Sequence, residues 1–237
     1  HEWGACEEQE GPFHLCMCYA DVYEVGQPNL GVSILYNTIN ALPDMSCERA
    51  YLPWRDMSSL MRERGVPMLS LEGAAPLASF DAVGFTPAHE LIWTNVLEAL
   101  DLSGIALTSA ERDEDDPIIL AGGPSAWNCE PMAPVFDAVL LGDGEESIVV
   151  VCSCIRDARA EGVSRSQLLC RLAELPGVYV PSLYDVVYDE SSTRWGYAVP
   201  KPGTPAREVV LKSCIPDLAA TPPVASTIVP YMGIVQD

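Results

Sequence analysis

Leu120-Ala-Gly-Gly-Pro-Ser-Ala-Trp-Asn-Cys-Glu-Pro131, followed by Phe136-Asp-Ala-Val-Leu-Leu-Gly-Asp-Gly-Glu-Glu146, decides the fold. It reads as strand, glycine turn, helix, strand, second glycine turn, helix. Pro117-Ile-Ile-Leu-Ala121 and Ala138-Val-Leu-Leu141 are short, continuous apolar runs, the pattern of parallel strands buried on both faces. Each ends in Gly-Gly-Pro or Gly-Asp-Gly-Glu-Glu, residues that turn sharply and leave the backbone uncovered. Ligands of open parallel sheets sit outside the carboxyl ends of the strands. Two such turns in tandem therefore predict a binding edge.

Working outward, the same grammar covers most of the chain. Strands are predicted at Phe13–Tyr19, Cys47–Leu52, Pro67–Leu71 (as an edge) and Phe80–Phe85. Helices are predicted at Val32–Ile39, at Asp56–Arg64 with Gly65 ending it, and at His89–Leu100 with Thr86 as N-cap and Pro87 in the first turn. Two more helices are predicted at Glu145–Ala160 and Ser164–Leu175, and Pro176-Gly177 closes the second. Beyond that point the strands are short: Val178–Val180, Tyr184–Tyr188, Trp195–Val199 and Arg207–Lys212, with a hairpin loop at Asp189–Arg194. The proline-rich stretch from Pro216 to Asp237 reads as an extended connector. The expected architecture is α/β: a doubly wound parallel sheet over residues 1–177, a small C-terminal antiparallel β appendage over 178–215, and a linker over 216–237.

Composition narrows the function. The 237 residues include 34 acidic and 13 basic side chains, a formal net charge of −21. An acidic surface of that kind does not grip a phosphate backbone, which requires Lys and Arg. No apolar run reaches the length of a membrane span, and His1-Glu-Trp-Gly-Ala-Cys-Glu-Glu8 lacks the basic start and apolar core of a signal peptide, so a cytoplasmic protein is the default expectation. The nine cysteines form no Cys-x-x-Cys pair, and free, mostly buried thiols are expected rather than a zinc or iron–sulfur site.

The catalytic signatures are missing. None of the three histidines stands at a metal-ligand spacing from Cys or carboxylate. Ser125 lies in Gly-Gly-Pro-Ser-Ala rather than Gly-x-Ser-x-Gly, which fits a helix N-cap better than a nucleophile. There is no Gly-x-Gly-x-x-Gly after the first strand and no P-loop. What remains is a set of polar residues at predicted strand ends: Asp21, Tyr23, Glu24, Asn29, Thr86, Glu90, Asn95, Asn128 and Glu130. Each singly suits a cap or a turn; their coincidence on one edge of a sheet suggests a crevice.

Several dispersed motifs then resemble one family, in order along nearly the whole chain. They are Asp21-Val-Tyr-Glu-Val-Gly-Gln-Pro-Asn-Leu-Gly31, Glu48-Arg49 with Pro53-Trp54-Arg-Asp-Met57, Ser70-Leu-Glu72, Phe80-Asp-Ala-Val-Gly-Phe-Thr86, Glu90 with Thr94-Asn95, Ala121-Gly-Gly-Pro124, Asn128-Cys-Glu-Pro131, Gly142-Asp-Gly-Glu-Glu146 and Gly177-Val-Tyr-Val-Pro181. The set resembles the N-terminal region of radical SAM proteins that carry a Rossmann-like, B12-binding-like domain ahead of the radical SAM barrel. The resemblance implies an accessory domain, not itself catalytic, whose partner is its own radical SAM domain. S-adenosylmethionine and a [4Fe–4S] cluster are then expected only in that C-terminal domain, whose cysteine triad follows a segment similar to Ile228–Asp237. Cobalamin is the cofactor implied for this segment. Free-standing cobalamin domains carry Asp-x-His-x-x-Gly, with the histidine on cobalt; here Tyr23 stands in its place within Asp21-Val-Tyr-Glu-Val-Gly26. Two outcomes stay open: histidine-off corrinoid binding, or a degenerate cofactor site in a substrate- or partner-docking module. The second predicts a crevice filled by side chains such as Tyr23, Trp93 or Trp127. The cofactor-binding residues implied are Tyr23, Glu24, Gly26, Asn29, Gly31, Thr86, Gly122, Gly123, Pro124, Asn128, Gly142, Gly144 and Glu145, with no catalytic or metal-ligating residue in the segment. The substrate of the parent enzyme is not legible.

Overall fold

A computed structural model describes residues 11–188 and 196–217. The N-terminal residues 1–10, the expected hairpin loop with Trp195, and the tail from 218 onward lie outside the described residues. Six strands form one sheet: β1 (His14–Tyr19), β2 (Ser46–Tyr51), β3 (Ala82–Phe85), β4 (Ile118–Ala121), β5 (Ala138–Leu140) and β6 (Val178–Tyr179). Their order is β2-β1-β3-β4-β5-β6, parallel except for β6. β1, β3, β4 and β5 are buried along almost their whole length, as the apolar runs predict. The connection from β1 steps outward to β2 and the next steps back past β1 to β3, so right-handed crossovers put the helices on opposite faces. Accordingly α2 (Leu30–Asn40) packs against α5 (Gly144–Glu161) on one face, and α3 (Arg55–Arg64) against α4 (Trp93–Ser103) on the other. The chain reverses its winding between β1 and β3, the place where doubly wound sheets open a crevice at their carboxyl ends. A single helical turn, α1 (Tyr23–Gly26), follows β1, and α6 (Arg165–Glu174) packs on α5, β5 and β6.

Helix ends follow local chemistry. Asn29 caps α2 through its Oδ1, which accepts from Val32 N at 3.0 Å. Ser164 and Gln167 close a capping box on α6. Gly65, Gly104 and Gly162 end α3, α4 and α5 in the left-handed conformation.

Six details depart from the sequence expectation. Pro67–Leu71 is not a strand of the sheet; only Leu69 forms a bridge, with Pro76. One backbone bond, Leu71 N to Arg49 O, is supplemented by side chains: Glu72 accepts from Arg49 N and from its guanidinium, both at 2.7 Å, and Gly73 N donates to the Glu48 carboxylate. Thr86 is not an N-cap. The Pro87 carbonyl is engaged by Ser125, which holds this stretch extended, so a 3-10 turn starts at Glu90 and α4 only at Trp93. The helix expected between the glycine turns is two 3-10 turns, Pro124–Asn128 and Glu130–Met132, because Pro124, Pro131 and Pro134 break any longer ladder. Ser125 is therefore no N-cap: its buried hydroxyl donates to Pro87 O and accepts from Trp93 Nε1. Val178–Tyr179 joins the main sheet as an antiparallel edge on β5, leaving β7 (Tyr184–Tyr188) and β8 (Gly196–Pro200) as a two-stranded antiparallel ribbon. Finally, Arg207–Lys212 forms no strand and runs as an extended strap whose one bridge is Ser213 to Gly142.

At the amino ends of β4 and β5 one carboxylate organises the fold. Asp137 is fully buried and accepts from Arg112 Nη1 (3.0 Å), Arg165 Nη2 (2.7 Å), Ile119 N (2.7 Å) and the Ser109 hydroxyl. Arg165 also donates through Nη1 to the carbonyls of Asp113 and Asp116 and through Nη2 to that of Pro117, tying α6 to the loop before β4, while its buried Nε has no partner. No helix among the described residues is long and apolar enough to cross a membrane.

Candidate functional site

At the carboxyl edge, on the α2/α5 face, the strands open into a cleft of about 310 Å³. Met17 of β1 and Gly84 of β3 lie at its floor; Ile34 and Leu35 of α2, Leu120 and Leu140 of the strands and Ile148 of α5 form apolar walls. The rim is backbone-rich: Gly122, Gly123 and Pro124 after β4, and Gly142, Asp143, Gly144 and Glu145 after β5. At Gly84 an added Cβ would lie 3.0 Å from Met17 Sδ, so the floor depends on a missing side chain there.

Of the residues the sequence nominates, the cleft gathers Asn29, Gly31, Thr86, Gly122, Gly123, Pro124, Gly142, Gly144 and Glu145. Four fall elsewhere. Tyr23 packs edge-on against Tyr51, with ring centroids 5.2 Å apart, and Glu24 is exposed on α1. Gly26 sits in a packing role: a Cβ there would come within 2.7 Å of both Tyr19 and Tyr51. Asn128 is exposed at the end of its 3-10 turn. The other strand-end polar groups also disperse. Asp21 and Asn95 border a separate polar recess of about 940 Å³ beside α3 and α4. Glu90 is exposed, and Glu130 accepts the Tyr179 phenol at 2.5 Å. That bond adds to burial in holding the Tyr179 phenol well above its ordinary range.

The apolar lining, Met17, Ile34, Leu35, Phe85, Leu120, Leu140 and Ile148, was not nominated in advance. Its signal was present: Ile34 and Leu35 lie on the apolar stripe of α2, and Met17 and Phe85 in buried strands. Strand alternation does not reveal which face opens into a cavity.

Charge and polarity at the cleft are sparse. Asp143 and Glu145 are its acidic groups, and among the described residues no Lys, Arg or His lines it. The hydroxyl of Thr86, a residue of the cleft lining, is buried with no hydrogen-bond partner, a rare condition. Tyr23, Trp93 and Trp127 do not fill the space: Trp93 is buried against Ser125, and Trp127 is exposed outside it. His14 lies at the opposite, amino end of β1, where its ring meets the Ser46 hydroxyl. Burial raises the thiols of Cys16, Cys18, Cys47 and Cys152 far from any nucleophilic range, and that of Cys129 to about 11. Among the described residues no group of three or more His, Cys, Asp or Glu is arranged to hold a metal ion.

Residues 31–181 match the family model described as "Radical SAM proteins, N-terminal". Two solved structures of the radical S-adenosylmethionine methyltransferase TsrM from Kitasatospora setae are similar. The form with cobalamin and a [4Fe–4S] cluster bound gives a TM-score of 0.44 and 17% identity, over 82% of this chain and 31% of that one. The form with tryptophan substrate and the SAM analogue aza-SAM gives 0.41 and 16%, over 81% and 30%. The chain thus spans less than a third of the length of these structures. No curated protein matches it.

Proposed function

Because the chain belongs to the family of N-terminal regions of radical SAM proteins, we propose that it is the accessory, non-catalytic domain of such a protein, and that its cleft takes the nucleotide tail of a corrinoid with no protein histidine on the metal. One observation carries this reading: an apolar cleft at the carboxyl edge of the sheet, floored at Gly84, edged by uncovered glycine backbone and provided with an orphaned Thr86 hydroxyl.

The residues present fit such a group. Ligand sites of this size class are concave, mostly apolar and furnished with a few placed polar groups. An aromatic base would contact Met17, Leu35, Leu120 and Ile148. The Thr86 hydroxyl would bond its heteroatom, recovering the desolvation cost of an unpaired buried group. Glu145 would accept hydrogen bonds from the amide side chains of a corrin. A bound corrinoid would supply a cobalt centre able to carry an alkyl group. The chain's own part is to hold, orient and dry that centre. The S-adenosylmethionine and iron–sulfur chemistry is assigned to the parent protein's barrel.

The test is a titration of the protein with methylcobalamin and hydroxocobalamin, followed by calorimetry and visible absorption. Tight binding with a base-off spectrum is the expected result. No binding at high micromolar ligand would refute the reading and leave a docking module. The exposed apolar side chains of Leu30, Leu91 and Trp127, on the segments that follow β1, β3 and β4, favour that second role.

A further inference from the structure

The second glycine turn is shaped from two sides. Toward the cleft, Gly142, Asp143 and Gly144 form part of the wall. From the other side, the strap lies on the same residues. Ser213 N donates to Leu141 O at 2.8 Å, Asp143 N donates to Ser213 O at 3.0 Å, and Ile215 N donates to Asp143 Oδ2 at 2.8 Å. Gly142 has φ +104°, and a Cβ there would fall 2.0 Å from Ser213 O. Gly177, with φ +73°, would bring a Cβ within 3.0 Å of Ser213 N. Both glycines are thus hollowed out for one strap residue, not for the cleft. Upstream, the Arg207 guanidinium donates to Glu174 O, its carbonyl accepts from the Tyr184 phenol, Val210 packs on the core, and Lys212 Nζ stands 5.9 Å over the Trp127 ring.

Asp143 occupies the N-cap position of α5, where a carboxylate ordinarily accepts from the amides of the first turn. Here it makes no such bond, because its Oδ2 is turned to Ile215. One carboxylate therefore has two mutually exclusive partners: the strap, or the start of the helix that walls the cleft.

We propose that residues 207–215 are a latch that couples a ligand in the cleft to the position of the chain leading on from Pro216. The coupling rests on the corrinoid reading above. With the strap seated, Asp143 is held outward and the first-turn amides of α5 stay open to the ligand. With the strap released, Asp143 swings in to cap α5 and occupies that wall. Ligand and strap favour the same state, so each strengthens the other by the same factor.

The test is hydrogen exchange by mass spectrometry on the intact protein, with and without methylcobalamin, alongside affinity titration. In the unaltered protein, methylcobalamin slows exchange of the Ile215 amide by about tenfold, a mid-range coupling. Ser213→Pro removes the donor to Leu141 O and frees the strap from a position outside the cleft. Gly177→Ala does so from another element. In both variants residues 207–217 exchange fast with or without ligand, core strand peptides exchange as before, and methylcobalamin affinity falls about tenfold. A released strap with affinity unchanged within about twofold would overturn the coupling alone. Absence of methylcobalamin binding to the unaltered protein would overturn the corrinoid reading, and the coupling with it.

Discussion

Replacing Thr86 with valine separates a functional hydroxyl from a structural one. The side chain keeps its shape and loses only its buried, unpartnered oxygen. An unsatisfied buried polar group costs about 1–3 kcal/mol, so in the absence of ligand Thr86→Val gains about 1 kcal/mol or more of stability. In a domain of this size each kcal/mol raises Tm by about 2–4 °C. If the hydroxyl bonds the base of a corrinoid, the same substitution deletes one neutral hydrogen bond, about 0.5–1.5 kcal/mol net. At about 1.4 kcal/mol per decade, methylcobalamin affinity then falls by a factor of about two to ten. Urea unfolding without ligand and a binding titration give the two numbers. Opposite movement, stability up and affinity down, is the expected signature. A loss of stability would mean that the hydroxyl has a structural partner. A gain in stability with unchanged affinity would remove Thr86 from the ligand's surroundings. Either result refutes the argument from the orphaned oxygen.

Three further outcomes follow from the packing. Gly84→Val places methyl groups over Met17 and into the cleft floor, so methylcobalamin binding is lost while the thermal midpoint moves by only a few degrees; retained binding would move the ligand elsewhere. Asp137→Ala leaves the guanidinium groups of Arg112 and Arg165 buried without their shared carboxylate, which costs about 3–5 kcal/mol in denaturant unfolding. Stability also falls on the alkaline side. The buried thiols of Cys16, Cys18, Cys47 and Cys152 stay protonated in the folded protein, whereas in the unfolded chain they ionise from about pH 8.5. Below that pH neither state loses a proton and they contribute no slope; above it unfolding releases protons and stability declines. Urea titrations from pH 7 to pH 10 check this, and a flat profile would show that the thiols ionise in the folded state.

The tandem glycine turns were legible because each follows a short apolar run whose burial leaves no alternative to a central parallel strand. The winding of the sheet then follows from chirality alone. Residues lining the candidate cleft were legible where a backbone turn marks them, as at Gly122, Gly123, Gly142 and Gly144. They were misplaced where a residue type was matched to a motif position: Tyr23 and Gly26 belong to an aromatic cluster with Tyr51 and, for Gly26, Tyr19. Thr86 was nominated, but as a helix cap, since sequence cannot show that Ser125 holds the following carbonyl. Gly142 was nominated for ligand approach, whereas the atom nearest its missing side chain belongs to Ser213, far along the chain. Tertiary partners of that kind leave no local periodicity.

The loop at Glu72 has a consequence beyond the fold. An outer strand with unpaired amides recruits further strands, and such recruitment seeds fibrils and edge-to-edge dimers. Here the loop beside β2 takes both backbone groups of Arg49: the Glu72 carboxylate accepts its amide and Leu71 N donates to its carbonyl, so neither is left for the next chain. The two-residue β6 shortens the opposite margin in the same spirit. The sheet is thereby terminated rather than merely finished. A protein in which Glu72 became neutral and apolar would be expected to show its defect first as self-association on storage, before any loss of ligand binding.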